Sequence, residues 1–283
     1  MVKVVTGTLI CTDAITFGEY AMKTHYRVGL YFDIEMVKTV EAVFKMKVKE
    51  GPDAFVIEDS DVWEKNKELI EKWGALVIKE SVFTEEELAS AKRLAMCSRW
   101  RFGYPMPKTN FGYIDNTFDL SRYCRKCGIE AIQLSDFRII KGPKWGKGDI
   151  FTLNWIGEEF FTSVDTYHSV FEPFGVAART VQNRRGVDTI DGVVQLVVQE
   201  SVDIDVEGLD SSVCEHCGRT KYLFSHVGYF PRVESTMYGH MVKTNQKFGD
   251  GGEADSYVLI SQELYQAAKG LKGLGFIPLN DEF

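Results

Sequence analysis

The motif Cys124-Arg125-Lys126-Cys127-Gly128 occurs a second time in the chain, as Cys214-Glu215-His216-Cys217-Gly218. Two residues between the cysteines let both sulfurs face one point from a tight turn, and the glycine can adopt a backbone conformation that residues with a Cβ rarely adopt. Each copy therefore has the form of one half of a tetrahedral thiolate site. Four thiolates at about 2.3 Å leave Zn²⁺ no open coordination position, as in structural rather than catalytic sites. We predict a structural Zn²⁺ bound by Cys124, Cys127, Cys214 and Cys217.

Other roles are open to a pair of cysteines with this spacing: a redox dithiol, a disulfide, or two unrelated buried thiols. A redox site needs only one dithiol, and the segment from Met1 to Leu30 lacks the apolar core and cleavage site of a signal peptide, so disulfides are not expected. The zinc interpretation requires the 86 residues between Cys127 and Cys214 to fold as an insertion between the two halves. Loop-closure entropy permits this, because it adds only about 0.6 kcal/mol for each doubling of length.

The composition is that of a folded protein with an acidic balance. The chain has 283 residues, 45% of them hydrophobic, with 33 basic and 41 acidic side chains and a net charge of -8. This balance disfavours nonspecific nucleic-acid binding, which depends on Lys and Arg at phosphates, and it suits a basic protein partner. No apolar segment approaches the roughly 18 residues of a membrane span. Cys11 and Cys97 have no partner at a recognisable spacing and are expected to be buried free thiols, so we predict a cytoplasmic location.

Residues 1–108 form the first predicted region, an N-terminal α/β region of unknown role. Alternating apolar and polar side chains predict strands in its first half, including residues 43–48. Further along, Thr84 and Glu87 have the spacing of a helix capping box. The helix that begins there is expected to run to about Ser98.

The second predicted region, residues 109–283, is a zinc-containing α+β domain of mixed sheets and short helices. It contains a repeat: Phe160-Phe161-Thr162-Ser163 and Val258-Leu259-Ile260-Ser261 are each followed by tyrosine four residues and glycine twelve residues after the serine. Each copy predicts a strand, a serine N-cap, a short helix and a return strand. Between the copies, Gly192–Gln199 is rich in valine and predicts a central strand. The two βαβ segments on either side of the second motif indicate that this region is one unit.

A catalytic site is not predicted. The chain contains no nucleophile elbow, no zinc-protease or deaminase motif and no glycine-rich dinucleotide fingerprint. His226 and His240 could form a pair, but the sequence supplies no further member of a mechanism. His216, inside the second motif, is expected to point outward because four thiolates already complete the site. The carboxylates of residues 203–207 are expected on the solvated face of a strand, and residues 250–255 in a solvated turn.

The pair of C-x-x-C-G motifs, separated by a β-rich stretch, resembles the double-CXXCG motif family of bacterial proteins. The closing segments from Tyr257 to Tyr265 and from Leu271 to Pro278 are similar to the ending of that family. The resemblance covers roughly residues 120–280 and implies that the four cysteines are metal ligands. It also implies a cytoplasmic immunity protein that binds and neutralises a cognate toxin domain and performs no catalysis. Residues 1–108 have no counterpart in the resemblance.

Two other functions are compatible with the sequence. A zinc-stabilised nucleic-acid-binding module would use the basic residues near the first motif, which are Arg122, Arg125, Lys126 and Arg138. A hydrolase would use His226 or His240. Salt-dependent binding to DNA or RNA would favour the first alternative, and loss of activity on substitution of either histidine in a folded protein would favour the second.

Overall fold

The computed structural model describes residues 22–223, 227–234 and 239–280. The described chain divides into two compact units. The first unit contains residues 22–87 and 227–229, and the second contains residues 88–223, 230–234 and 239–280. Both units combine helices with β-sheets, and the sheets of the second unit are mixed, so the predicted α+β class is confirmed.

The first unit is a three-stranded antiparallel sheet with two helices. Asp33 and Asp59 are the helix N-caps, and each accepts two backbone N–H groups. Side chains of the sheet and of both helices form one apolar core that includes Phe32, Val40 and Ile70. The elements are β1 (Lys23–Phe32), α1 (Ile34–Phe44), β2 (Gly51–Ile57), α2 (Ser60–Lys72) and β3 (Leu76–Val82). β1 is the central strand and is antiparallel to both neighbours, so β2 and β3 run parallel to each other.

The strand predicted at residues 43–48 is wrong. α1 continues to Phe44, and a loop follows it. Val40 and Phe44 lie four residues apart on one face of the helix and are both buried in the core. The Asp33 cap starts this helix, and the core contacts made by every fourth residue outweigh the local alternation of side chains.

The capping box predicted at Thr84 and Glu87 is confirmed, but its helix is short. The Glu87 N–H donates to Thr84 Oγ1 over 3.1 Å, and the Thr84 N–H donates to Glu87 Oε2 over 2.9 Å. α3 (Glu85–Ser90) then ends, and β4 (Arg93–Ser98) stands where we predicted the rest of the helix. β4 has sheet partners on both sides, and this tertiary pairing overrides helix propensity. Because β4 belongs to the second unit, the boundary predicted at residue 108 lies later in the chain than the observed division.

The second unit is built from two five-stranded sheets. Its further elements, in chain order, are α4 (Tyr113–Thr117), β5 (Phe118–Asp119), β6 (Ile132–Gln133), β7 (Arg138–Ile139), β8 (Ile150–Leu153), β9 (Ile156–Ser163), α5 (Val164–Thr166), β10 (Ala177–Asn183), β11 (Thr189–Val197), β12 (Ser201–Val202), β13 (Ser211–Val213), β14 (Thr220–Tyr222), β15 (Met241–Thr244), β16 (Val258–Ser261), α6 (Gln262–Ala268) and β17 (Leu274–Pro278). One sheet has the order β7-β10-β11-β9-β8, and the other has the order β12-β15-β16-β4-β17. β5 pairs with β6, and β13 pairs with β14, as separate two-stranded hairpins.

The repeated sequence pattern forms the same structure twice, as predicted. Ser163 ends β9 and accepts the Thr166 N–H at 3.0 Å, whereas Ser261 ends β16 and accepts the Leu264 N–H at 3.3 Å. The return strands are β10 and β17. In each copy a third strand lies between the two and is antiparallel to both, namely β11 in the first and β4 in the second. β11 is the middle strand of its sheet, so the prediction for residues 192–199 is confirmed.

The inserted strands show that the second unit consists of two halves with the same order of elements. The first half is β4, β8, β9, α5 and β10, and the second is β11, β15, β16, α6 and β17. Each half places its first strand in the sheet of the other half. The registers agree: Val194 pairs with Thr162, and Leu94 pairs with Ile260, which lies 98 residues after Thr162. Each cysteine motif lies between the first and second strands of its half.

Charged side chains join the two sheets of the second unit, and of these Glu159 is buried whereas Lys243, Lys247 and Glu158 are partly buried. Lys243 on β15 donates to Glu159 on β9 at 2.5 Å, and the Gln195 amide on β11 donates to the same carboxylate at 2.9 Å. Lys247 donates to Glu158 at 3.0 Å. Burial alone would raise the pKa of Glu158, but the ammonium groups of Lys243 and Lys247 lower this pKa to about 2. Removal of one partner would leave a buried unpaired charge, which typically costs about 3–5 kcal/mol of stability.

Asp255 provides a pH test of this buried network. Burial and the neighbouring Glu158 raise the pKa of Asp255 from 3.8 to about 7. The unfolded chain therefore loses this proton at lower pH than the folded protein, so the contribution of Asp255 to stability falls between about pH 4 and about pH 7. In Asp255→Asn this fall is absent. We expect the variant to gain free energy of unfolding relative to wild type across that interval, as measured by urea denaturation at both ends. A difference that does not change with pH would contradict the raised pKa.

Candidate metal centre

The four predicted cysteines converge on one point between the two hairpins. Cys124 Sγ lies 3.9 Å from Cys214 Sγ, and Cys127 Sγ lies 3.6 Å from Cys217 Sγ. All four sulfurs lie within 4.8 Å of one another, and all four thiols are free. Disulfide sulfurs would be about 2.05 Å apart. Four sulfurs bound at about 2.3 Å to a tetrahedral ion would be about 3.8 Å apart, so the arrangement is that of a thiolate metal site.

Matching backbone hydrogen bonds shape the two cysteine turns. The Gly128 N–H donates to the Cys124 carbonyl and the Gly218 N–H to the Cys214 carbonyl, both over 2.8 Å. In each turn the N–H of the first cysteine donates back to the carbonyl of the residue after the glycine. Gly128 and Gly218 have φ values of 80° and 73°, in the left-handed region that favours glycine. The local sequence therefore fixes each half of the site, as predicted.

The same turns favour thiolates at two of the four cysteines. Backbone N–H groups, that of Cys127 above all, lower the pKa of Cys124 to about 6. The N–H of Cys217 likewise lowers the pKa of Cys214. Burial raises the pKa of Cys127 to about 12, so ionisation of this thiol requires a nearby cation. A metal ion supplies that charge, because coordination deprotonates a thiol outright.

The acidic glycine turn at residues 250–255 covers the cysteine cluster. Residues 250–253 are exposed, as expected for a solvated turn, but Ala254 and Asp255 are partly buried and the backbone of the turn has a structural role. Buried Lys221 donates to two carbonyl oxygens of the turn, each at 2.7 Å. The carbonyl of Gly252 occupies the space that a Cβ on Gly128 would need, and Ala254 packs against the cysteines. Sequence reasoning missed this cover, because nothing local to the turn indicates its contact with residues more than a hundred positions away.

Ion pairs connect the two hairpins beside the sulfurs. Arg219, from the second hairpin, contacts the Glu130 carboxylate at 2.5 Å and donates to the Arg122 carbonyl at 2.9 Å. Arg122 also pairs with Glu130 at 3.0 Å, and Arg125 pairs with Asp115 at 2.7 Å. Two of the basic residues considered for nucleic-acid binding therefore already face carboxylates. Their side chains are largely exposed, so each pair adds little stability by itself.

The donor set suits a tetrahedral metal ion with no open position. Four thiolates, with no carboxylate or imidazole among them, favour a soft or borderline metal. His216 is exposed and lies outside this donor set, as predicted. Cys124, Cys127, Cys214 and Cys217 would hold the ion as a cross-link between the two hairpins, without a position for water or substrate.

The histidines considered for a hydrolase do not form a catalytic arrangement in the described part of the chain. His240 Nδ1 lies 2.8 Å from Ser261 Oγ and 4.0 Å from Glu263 Oε2. A Ser-His-acid triad uses one ring nitrogen for the serine and the other for the carboxylate, whereas here both groups approach Nδ1. Ser261 is instead the N-cap of α6. His226 lies outside the described residues.

Two further predictions concern membrane spans and the remaining cysteines. No helix in residues 22–223, 227–234 and 239–280 is long and apolar enough to cross a membrane. Cys97 is buried in β4 and disulfide-bonded, so the expectation of a free thiol is wrong for this residue; Cys11 lies outside the described residues.

We expect Cys214→Ser/Cys217→Ser to lose stoichiometric metal binding, because two of the four thiolates are removed. The measurement is the metal content of the purified protein, determined by mass spectrometry. His216→Ala is the matched control, since it changes the same turn without removing a ligand, and should keep the wild-type metal content. Full metal retention by the double cysteine variant would remove both residues from the ligand set.

The two turn glycines provide a second test. Gly218→Ala places a Cβ at positive φ in open space, which should destabilise the fold by about 1–2 kcal/mol. Gly128→Ala has the same backbone penalty, and its Cβ would also overlap the carbonyl oxygen of Gly252. We therefore expect the larger loss of thermal stability for Gly128→Ala, measured on metal-loaded proteins. Equal losses for the two variants would contradict the packing of residues 250–255 on the first turn.

Comparison with protein-family models gives no match, and comparison with curated proteins gives none either. Neither comparison therefore identifies the double-CXXCG motif family. Function must be inferred from the sequence pattern and from the geometry of the site.

Proposed function

We propose that this protein is a zinc-stabilised, non-catalytic binding protein, and that its partner is a cognate bacterial toxin domain. The observation that carries this proposal is the exposure of apolar side chains on the two hairpins that the cysteines join. Ile132 and Leu134 at the first hairpin are 54% and 67% exposed, and Val213 on the second is 63% exposed. Apolar side chains held on a rigid, solvent-exposed support are well suited to protein interfaces.

Zinc is the metal that we propose for the centre. Zn²⁺ has no redox chemistry and takes four thiolates in a tetrahedral arrangement, which suits the closed donor set of Cys124, Cys127, Cys214 and Cys217. Bound metal would hold both hairpins in position before a partner arrives. Pre-ordering of this kind reduces the entropy lost on association.

An acidic segment next to the second hairpin favours a basic partner. Residues 200–215 contain six acidic side chains and no lysine or arginine. Val202 and Ile204 are buried, whereas Asp203, Glu207 and Asp210 are exposed. The expected strand face is found only in part, because the strand ends at Val202 and half-buried Asp205 pairs with Arg232 at 3.1 Å. Exposed carboxylates would raise the rate of encounter with a basic protein surface.

The toxin as partner follows from the resemblance to the double-CXXCG motif family, whose members are immunity proteins. In this proposal the protein acts by stoichiometric binding and blocks the surface through which the toxin acts. If the toxin is a nuclease, carboxylates of residues 200–215 would contact the basic groups that otherwise bind phosphates. The pairing of Arg122 and Arg125 with carboxylates supports toxin binding over nucleic-acid binding at the first hairpin.

The decisive experiment uses the toxin domain encoded by the neighbouring reading frame, in a catalytically inactive form. We expect one-to-one binding by titration calorimetry, and growth rescue when the active toxin is expressed with this protein. Leu134→Asp/Val213→Asp should weaken binding by at least about tenfold, because buried apolar anchors dominate interface energies. Ile34→Asp changes an equally exposed apolar residue of the first unit, at 58% exposure, and should leave the affinity unchanged.

A charge-reversal pair separates the acidic segment from the apolar contacts. Glu207→Lys/Asp210→Lys should slow association at low salt, whereas Asp165→Lys/Glu41→Lys, at exposed positions elsewhere, should not. Folded, metal-loaded protein that does not bind the toxin would reject the proposal. Equal affinities for wild type and the Leu134→Asp/Val213→Asp variant would remove the hairpins from the interface.

A further inference from the structure

Four aromatic side chains gather around the tight turn between β8 and β9. The Trp155 ring centroid lies 4.7 Å from that of Tyr104, 4.8 Å from that of Phe111 and 6.1 Å from that of Tyr113. Phe111 is 52% exposed and Trp155 is 37% exposed. Lys108 Nζ lies 4.0 Å from the Tyr104 ring centroid. The cluster therefore presents aromatic surface and a cation to solvent at one place.

Backbone strain holds two of these aromatic residues in position. Phe111 and Trp155 have φ values of 54° and 71°, and Asn110 has a φ of 53°. Left-handed backbone costs a residue with a Cβ about 1–2 kcal/mol. The Asn154 N–H and side-chain amide both donate to the Gly103 carbonyl, at 3.0 and 2.6 Å, and fix the turn. Trp155 packs on buried Tyr113, but Phe111 is more than half exposed, so burial does not explain its strained position. Strain of this kind concentrates at functional sites.

Basic side chains continue this surface along the edge of the sheet. The Met106 N–H donates to the Arg138 carbonyl at 2.8 Å, which places the loop of the aromatic cluster against the edge strand β7. Arg138 pairs with Gln182 in register, and its side chain packs on Gly186 in the loop between β10 and β11. The exposed basic residues along this path are Lys108, Lys141, Arg184 and Arg185.

The charge of this region is opposite to that of the whole protein. Residues 99–147, which include the aromatic cluster and the first cysteine hairpin, contain ten basic and four acidic side chains, although the chain as a whole has a net charge of -8. Two of the ten, Arg122 and Arg125 on the hairpin, pair with carboxylates and lie outside the surface described here. Asp188 is the acidic residue on the β10–β11 loop and accepts the Asn183 amide at 2.9 Å, and Asp191 follows on β11. Among the described residues, no ion pair involves Lys108, Lys141, Arg184 or Arg185.

We propose that this aromatic–basic surface, formed by Tyr104, Phe111 and Trp155 with Lys108, Arg138, Lys141, Arg184 and Arg185, binds single-stranded nucleic acid. Bases would stack on Phe111 and Trp155, since every base has a π-face and exposed aromatic rings accept it without sequence preference. The basic side chains would neutralise the phosphates. A duplex keeps its bases stacked inside and fits this surface less well. Single-stranded DNA and RNA share the chemistry that the surface recognises.

Fluorescence anisotropy tests the proposal with labelled oligothymidylate and oligouridylate of about 15 nucleotides, a length in the range of known single-strand sites. We expect binding at low ionic strength that weakens as salt rises. Phe111→Ala and Trp155→Ala should each reduce the affinity by about tenfold, because each removes a stacking platform. Phe111→Ala keeps the test valid even if Trp155→Ala disturbs the turn, since Phe111 is more than half exposed.

Variants with altered charge provide a second test of the same surface. Arg184→Glu/Arg185→Glu should abolish most of the binding, and a double change to alanine should reduce the slope of log affinity against log salt by about 1.4, which is about 0.7 for each phosphate that is no longer neutralised. Lys269→Glu/Lys272→Glu is the matched control, because it makes the same charge change at exposed positions of the same unit. Thermal unfolding and metal content establish that every variant is folded.

The outcomes are distinct. Binding to either oligonucleotide that is lost in the aromatic and arginine variants but kept in the lysine control supports the surface, and the tighter of the two oligonucleotides identifies the sugar that it prefers. Absence of binding to both at low ionic strength overturns the proposal. Equal affinity for a duplex of the same length, or equal weakening by the lysine control, overturns it as well.

Discussion

The approach of four thiols to one point is the constraint on which the second unit depends. The hairpins that carry them are β5 with β6 and β13 with β14, whose strands have only two or three residues each. Hairpins of this size are not stable alone in water. A metal ion shared by Cys124 and Cys127 with Cys214 and Cys217 would convert two marginal turns into one rigid element. The same cross-link would fix the ends of the 86 residues between them, so that metal binding and folding would become one equilibrium.

The exchanged strands give a second reason why neither half of this unit can fold alone. Without β11, the sheet of the first half would have a gap between β9 and β10. Without β4, the sheet of the second half would have a gap between β16 and β17. Each gap would leave two strands with unpaired backbone groups, and each half would also hold only two of four thiolates. The buried contact of Lys243 with Glu159 crosses between the sheets and adds a third link. Sheet completion, metal coordination and buried charge therefore all require both halves at once, which makes folding of the unit cooperative.

Features set by local chemistry were predictable from the sequence, and features set by distant contacts were not. Two residues between the cysteines and a glycine after them are enough to specify a cysteine turn. Ser163 and Ser261 each end a strand and cap the helix that follows it. β4 was predicted as helix because the capping box before it is real, while the sheet partners that make it a strand lie more than 160 residues later. Glu158 and Glu159 have the composition of a surface segment, and only the fold places Lys243 and Lys247 beside them. The cover of the metal centre by residues 250–255 was missed for the same reason.

Net charge was the least informative property, because the two halves of the second unit carry opposite charges at equivalent places. The segment between the first and second strands of the first half includes residues 99–147, with ten basic and four acidic side chains. The equivalent segment of the second half is residues 198–240, with seven acidic and three basic side chains, and its acidic residues concentrate in residues 200–215. Sheet pairing constrains the sequence of the strands, and the cysteine positions constrain the sequence of the turns. The solvated residues between them are not constrained in this way, so they can differ without cost to the stability of the fold. Two halves with the same fold can thereby present one basic and one acidic surface, which suit partners of opposite charge. The net charge of the whole chain conceals both surfaces.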